Sequence, residues 1–304
     1  MRLAAPELIT SGRADRVRDE LREFAHLGGF AIRPASTPWF GAKLPTTEAA
    51  RHACDLAARL SHHSLPVFVH HGRQAAAETG LRPPENYREA AAQILMYARI
   101  AQTLRTLDAG VFAASPQRLA VACGDGAGLK FRERHALRKQ AQGLWLPAAP
   151  PSREDLAAAL GGAAEQLAQW RERATGEGPP ALPSAHAELA GLGAEVDGQL
   201  GVLRGYVRLP ADPEPLLAEL AADQETAWKL PRLYELGTGF DESGLGALLD
   251  ELARRQATPA MAAAAFDQAW YTSILDGIRV RDPRYASNHG DALDEIASDF
   301  RARA

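Results

Sequence analysis

The stretch Ser152 to Trp170, SREDLAAALGGAAEQLAQW, carries Leu156, Leu160, Ala163, Leu167 and Trp170 at steps of four, three, four and three. That rhythm places all five on one stripe of an α-helix and is the seam spacing of a coiled coil. Ser152 with Asp155 three residues on supplies an N-terminal capping signal. After the breaker Gly176-Glu177-Gly178-Pro179-Pro180, a second seam runs through Leu189, Leu192, Val196, Leu203 and Val207, with position 199 or 200 filling the gap. Two helices of similar length joined by a Pro/Gly turn predict an antiparallel coiled-coil hairpin projecting over 148–210.

The same three-and-four periodicity extends outward. Val17, Leu21, Phe24 and Ala25 predict an opening helix over 13–27, stopped by Gly28-Gly29. Phe30-Ala31-Ile32 reads as a short extended piece, and Pro34, Pro38 and Pro45 keep the connector irregular, with Trp39 and Phe40 as its anchors. Ala53, Leu56, Ala57 and Leu60 predict a helix over 47–63 that Pro66 ends or kinks, while Val67-Phe68-Val69 cannot be typed by period. Tyr87, Ala91, Ile94, Ala98, Ala101 and Leu104 mark a helix over 86–108. Asp212-Pro213 opens another that runs to about Lys229, and Thr258-Pro259 one that runs to about Ile278. The expected fold is all-α: an N-terminal helix and connector over 1–37, a helical bundle over 38–147, the hairpin over 148–210 and a C-terminal helical bundle over 211–304.

Of the 304 residues 46% are apolar, much of this alanine, so many helices with thin cores are expected. The 34 Lys and Arg against 38 Asp and Glu leave a formal charge of -4, which gives the whole chain no attraction to phosphate or anionic lipid. The pair Cys54 and Cys123 makes no disulfide framework and fits a reducing compartment. No apolar run has the length of a membrane span or a secretory signal, so a cytoplasmic protein with no membrane partner is expected.

Residues with chemistry are local. Gly124 to Lys130, GDGAGLK, imitates a phosphate loop, but Leu129 precedes the lysine, Phe131 follows it and no strand leads in, so an inter-helix loop is expected. Leu248-Leu249-Asp250-Glu251 and Asp294-Glu295 imitate a magnesium-binding acidic pair, yet their leucines fall at helical spacing. His62, His63, His70 and His71, with His52 and Cys54 nearby, supply enough donors for a transition metal but lack ligand spacing, and no metal or cofactor is expected. Lys130, Arg134 and Arg138 stand four apart, with Arg132 and Lys139 beside them and Glu133 the one opposing acid. This stripe is the best candidate for a nucleic-acid contact, its bland reading being a solubilising face opposite Leu137, Ala141 and Leu144; without interleaved aromatic platforms, stacking on single-stranded bases is not expected. No Gly-x-Ser-x-Gly elbow is present, and no catalytic residue is assigned.

The segments Tyr234 to Gly237, Gly244 to Leu252, Phe266 to Tyr271, Ser273 to Leu275 and Asp282-Pro283-Arg284 are similar to the helical insertion that interrupts the ATPase core of large bacterial superfamily I DNA helicases, AAA-type ATPases. Pro38 to Ala42, with Trp39 and Phe40, Thr46-Thr47-Glu48, Leu60 to Pro66 and the basic run Arg134 to Gln140 look like earlier parts of it. Trp270 with Asp282, Pro283 and Arg284 is the most specific portion, and Asn288-His289-Gly290 departs from the pattern. The resemblance implies a non-catalytic accessory region, with DNA, a helicase core or another protein as partner, in genome maintenance or defence against phage. The phosphate loop and acidic motif of the family have no counterpart in this sequence, so its ATPase residues carry over to no position. Two other readings remain open: a free-standing interaction module recruiting a helix through Leu160, Leu167, Leu192 and Leu203, and a metal-binding protein built on the histidines.

Overall fold

A computed structural model describes residues 11–281. The fold is all-α. Among the described residues there is no β-strand, and extended pairing is confined to isolated bridges such as Leu81 with Ala174 and Leu107 with Trp145. No described helix is long and apolar enough to cross a membrane. The helices group into two compact units, one of the described residues 11–52 with 223–281 and one of 53–222. The segment 148–210 thus lies wholly within the second unit.

In the first unit, α1 (Ser11–His26) lies against α10 (Gln224–Glu242) and α12 (Pro259–Arg281), with α11 (Gly246–Arg254) closing the group. Val17 and Leu21 of α1 enter a core with Phe240, Leu248 and Phe266. Phe24 sits edge-on to Phe30 and Phe240, with ring centroids 4.9 and 5.6 Å away. Phe30 is buried, but Phe30 and Ala31 lie in a turn and Ile32 is irregular rather than the extended piece expected, because Gly28 adopts φ 89° and its carbonyl accepts from Ala31 and Ile32. Charged side chains fasten the rim. Arg232 grips Glu23 through Nε and Nη2, at 2.8 and 2.7 Å, and Arg18 meets Asp267 at 2.7 Å. The helix expected to run from Asp212 to Lys229 divides at Asp223, whose carboxylate accepts from the Thr226 amide to start α10 and from the Thr37 hydroxyl at 2.6 Å. Trp39 is fully buried in the connector, whereas Phe40 is half exposed.

The second unit begins within α2 (Thr47–Arg59). Pro66 neither ends the helical path nor breaks it sharply. A single π-helical turn over Leu60–Ser64, in which the Leu65 amide donates to the Leu60 carbonyl, leads into α3 (Leu65–Thr79). A wider turn just before proline accommodates the amide that proline lacks and the bulk of its ring. Val67 to Val69 is therefore helical. Asn86 caps α4 (Tyr87–Leu104) by accepting from the Glu89 amide. Two short helices come next, α5 (Pro116–Cys123) and α6 (Phe131–Gly143), and then α7 (Arg153–Arg173), α8 (His186–Arg204) and α9 (Glu214–Ala222).

The seam residues Leu156, Leu160, Leu167 and Trp170 of α7, and Leu189, Val196 and Leu203 of α8, are all buried. They do not zip together as a projecting coiled coil. α7 packs chiefly on α5, and α8 on α3 and α4 alike, while α4 also touches α7. Trp170 stands 6.4 Å from Tyr97 of α4, and Gln166 of α7 donates to Thr103 of α4 at 2.9 Å. On α8, Asp197 accepts from the Tyr87 hydroxyl at 2.7 Å and Gln199 from Ser64 at 2.9 Å. The link between α7 and α8 is pinned to the end of α3, where Thr175 donates to the Gly80 carbonyl and Ser184 to Glu78. A heptad stripe records that one face is apolar, and here other helices of the bundle cover it.

Candidate nucleic-acid interface

The glycine loop between α5 and α6 spends its amides on itself. Gly126 donates to the Val121 carbonyl, Leu129 to Gly126, and Ala127 to the Asp125 carboxylate at 3.0 Å. Gly126 and Gly128 adopt φ of 69° and 74°, the left-handed region in which glycine carries no steric penalty. With these three amides engaged, the loop turns the chain tightly enough that α6 folds back on α5.

That return divides the basic residues into two sets. Arg138 reaches inward, and its Nε donates to the Ala122 carbonyl at 2.6 Å. Arg153, at the start of α7, donates to the Gly124 carbonyl at 3.1 Å. Both cations therefore satisfy acceptors at the C-terminal end of α5, where the helix dipole favours positive charge. Partial burial first, then Arg153 and Arg134 nearby, holds the Arg138 guanidinium below its ordinary pKa. Cys123 lies buried at the same place, and burial pushes its thiol up despite the two arginines. Arg134 lies over Gly126, where a β-carbon would meet its Cδ at 2.5 Å. Glu133 pairs with Arg118.

The stripe expected to face solvent, Lys130 with Arg134 and Arg138, is therefore a structural one from its second member on. Its registry puts Arg134 and Arg138 on the side of buried Ala141; Arg134 lies over Gly126, and Arg138 turns toward α5, where the Ala122 carbonyl accepts from it. The outward face belongs to the neighbouring rows. Phe131, His135 and Lys139 stand four apart and are exposed, with Arg132 exposed beside them. Phe131 is 76% exposed, a large value for a side chain that gains free energy on burial. Arg132 and Lys139 make no ion pair among the described residues, so the outer face keeps its positive charge. Reading the helix for its cations alone missed Phe131. The signal that finds it is registry, four and eight residues ahead of His135 and Lys139.

Other candidates fall differently. His62 and His63 lie on the π turn and His70 and His71 on α3, all exposed, and among the described residues no group of three or more His, Cys, Asp or Glu side chains gathers as a metal cage. Asp250 lies exposed on α11, and Glu251 is held by Arg254 and Arg255. The pair Asp294-Glu295 and the motif residues Asp282, Pro283 and Arg284 lie outside the described residues. A cleft of about 330 Å³ between the ends of α3, α4 and α7 is lined by Arg82, Arg173, Glu85 and Glu89, a mixture of signs that selects no anion. In the first unit a groove of about 490 Å³ runs between the connector and α10, lined by Phe24, Ile32, Phe40, Leu233, Tyr234 and Gly237. It is lined by residues of both Phe40 to Ala42 and Tyr234 to Gly237, while Trp270 packs against the adjacent core.

Comparison with protein-family models, with curated proteins and with solved structures finds no match to this chain.

Proposed function

We propose that the chain is a non-catalytic helical accessory region of a superfamily I type of DNA helicase, and that it meets nucleic acid through the outer face of α6. The observation carrying this reading is the exposed row of Arg132, His135 and Lys139, which faces solvent with no acid on its own helix except Glu133, already held by Arg118. The unpaired cations Arg132 and Lys139 on one face supply the phosphate attraction that a chain of net charge -4 lacks as a whole. The groove between Phe40 and Tyr234 adds support, because residues far apart in sequence but shared by the resemblance meet there on an exposed apolar surface suited to a helicase core or another protein. The interaction-module reading draws on that same groove rather than on the α7 and α8 seams, whose leucines Leu160, Leu167 and Leu203 are buried.

The test is fluorescence anisotropy of a labelled oligonucleotide titrated with the full chain, beside the double variant Arg132→Glu, Lys139→Glu. Saturable binding that charge reversal abolishes is the expected result, with no ATP hydrolysis by the chain alone. DNA-stimulated ATP hydrolysis that disappears in Lys130→Ala would overturn the non-catalytic assignment.

A further inference from the structure

We infer that the α6 face binds single-stranded rather than duplex nucleic acid, with a base stacked on Phe131. This rests on the reading that α6 contacts nucleic acid and goes beyond it by naming the form of the ligand. Phe131 is the first residue of α6 and 76% exposed, so its ring projects beyond the body of the helix. Arg132 follows it directly, and His135 and Lys139 continue its row one and two turns on, about 6 and 12 Å along the axis at 1.5 Å per residue. Successive phosphates in an extended strand are spaced on that scale, so one strand lying along the helix can place phosphates at Lys139 and Arg132 while an unstacked base reaches the ring.

Duplex discriminates against this arrangement. Its bases are already stacked on one another and present only their edges in the grooves, so a phenyl ring projecting from a helix meets no base face. In a single strand every base has a free π-face, and stacking on an aromatic side chain is strong and tolerant of sequence. The inward placement of Arg134 and Arg138 fits the same division, because it leaves a narrow row of cations beside the ring instead of a broad basic patch.

The experiment compares a labelled 20-residue oligo(dT) with a hairpin duplex of equal nucleotide number, using the full chain, Phe131→Ala, Phe131→Tyr and Arg132→Glu, Lys139→Glu, each checked for unchanged helicity by circular dichroism. The expected result is tighter binding to oligo(dT), a loss of about tenfold in Phe131→Ala with recovery in Phe131→Tyr, and no effect of Phe131→Ala on the hairpin. Equal binding of both forms that charge reversal weakens and Phe131→Ala leaves alone overturns the inference while the nucleic-acid reading stands. Binding of neither form overturns both. Binding of vesicles containing phosphatidylserine in place of either oligonucleotide, with loss in Phe131→Ala, also overturns both and assigns the face to an anionic membrane surface.

Discussion

Arg138 of α6 donates through its Nε to the main-chain carbonyl of Ala122 at 2.6 Å, tying the middle of one helix to the last turn of another. With Arg153 on the Gly124 carbonyl, this contact caps α5 from outside and sets the rotation of α6, and so fixes which row of α6 faces solvent.

Replacing Arg138 by Met keeps the aliphatic stem and removes the donors. The expected outcome is a lower urea midpoint with nucleic-acid affinity within twofold of the parent, whereas Arg132→Glu has the opposite profile. A midpoint unchanged beside a large loss of binding would show that Arg138 faces the ligand.

Gly126→Ala places a residue with a side chain at φ 69° and its β-carbon 2.5 Å from the Arg134 Cδ. A destabilisation of about 1–3 kcal/mol is expected by chemical denaturation. Adding Arg134→Ala relieves the collision but not the backbone strain, so the double variant recovers part of the loss, which a double-mutant cycle measures.

Leu160→Ala removes a side chain that is wholly buried, on α7. A loss of about 2–5 kcal/mol is expected, with no change in oligomeric state by light scattering. A change of oligomeric state without loss of stability would return the seam to the role of a partner-recruiting surface.

The hydrogen bonds from Arg232 hold the Glu23 carboxyl below its ordinary pKa. A lowered folded-state pKa means the pair's stabilisation is present above about pH 4.3, the unfolded value for glutamate, and is lost as pH falls through the folded value. Side chains more than a third exposed limit it to about 1 kcal/mol or less. Glu23→Gln is expected to be slightly less stable at pH 7 and to lose less on acidification, read from thermal unfolding at pH 7 and pH 3.

If Arg132 and Lys139 each neutralise one phosphate of a single strand, the logarithm of affinity falls against the logarithm of salt with a slope of about 1.4. A slope near zero would indicate contact without phosphate.

Two kinds of information separate here. Leucine and alanine spacing determined the helices and their buried faces. Leu156 to Trp170 and Val17 to Leu21 bury the stripe their periodicity marks, because an amphipathic helix in water has one favourable side to hide. In α4 the helix was legible but its buried side was not: Ala90, Ile94, Met96, Tyr97 and Ile100 are buried, only Ile94 belongs to the marked stripe, and Ala98 is exposed. Local chemistry placed several ends as well, such as Asn86 capping α4 and Ser152 capping α7, since a cap depends on residues within one turn. The cover over each stripe depends on contacts distant in sequence, and periodicity is silent there. The α7 and α8 seams could zip to each other or lie on α5, α3 and α4, and only the tertiary packing chose the second. On α6, rich in charge and poor in apolar residues, the spacing of four recurs in adjacent rows, so the sequence by itself named the basic helix but not its outer face. Carbonyls at the end of α5 decided that by drawing Arg138 inward, which left Phe131, Arg132, His135 and Lys139 to meet solvent.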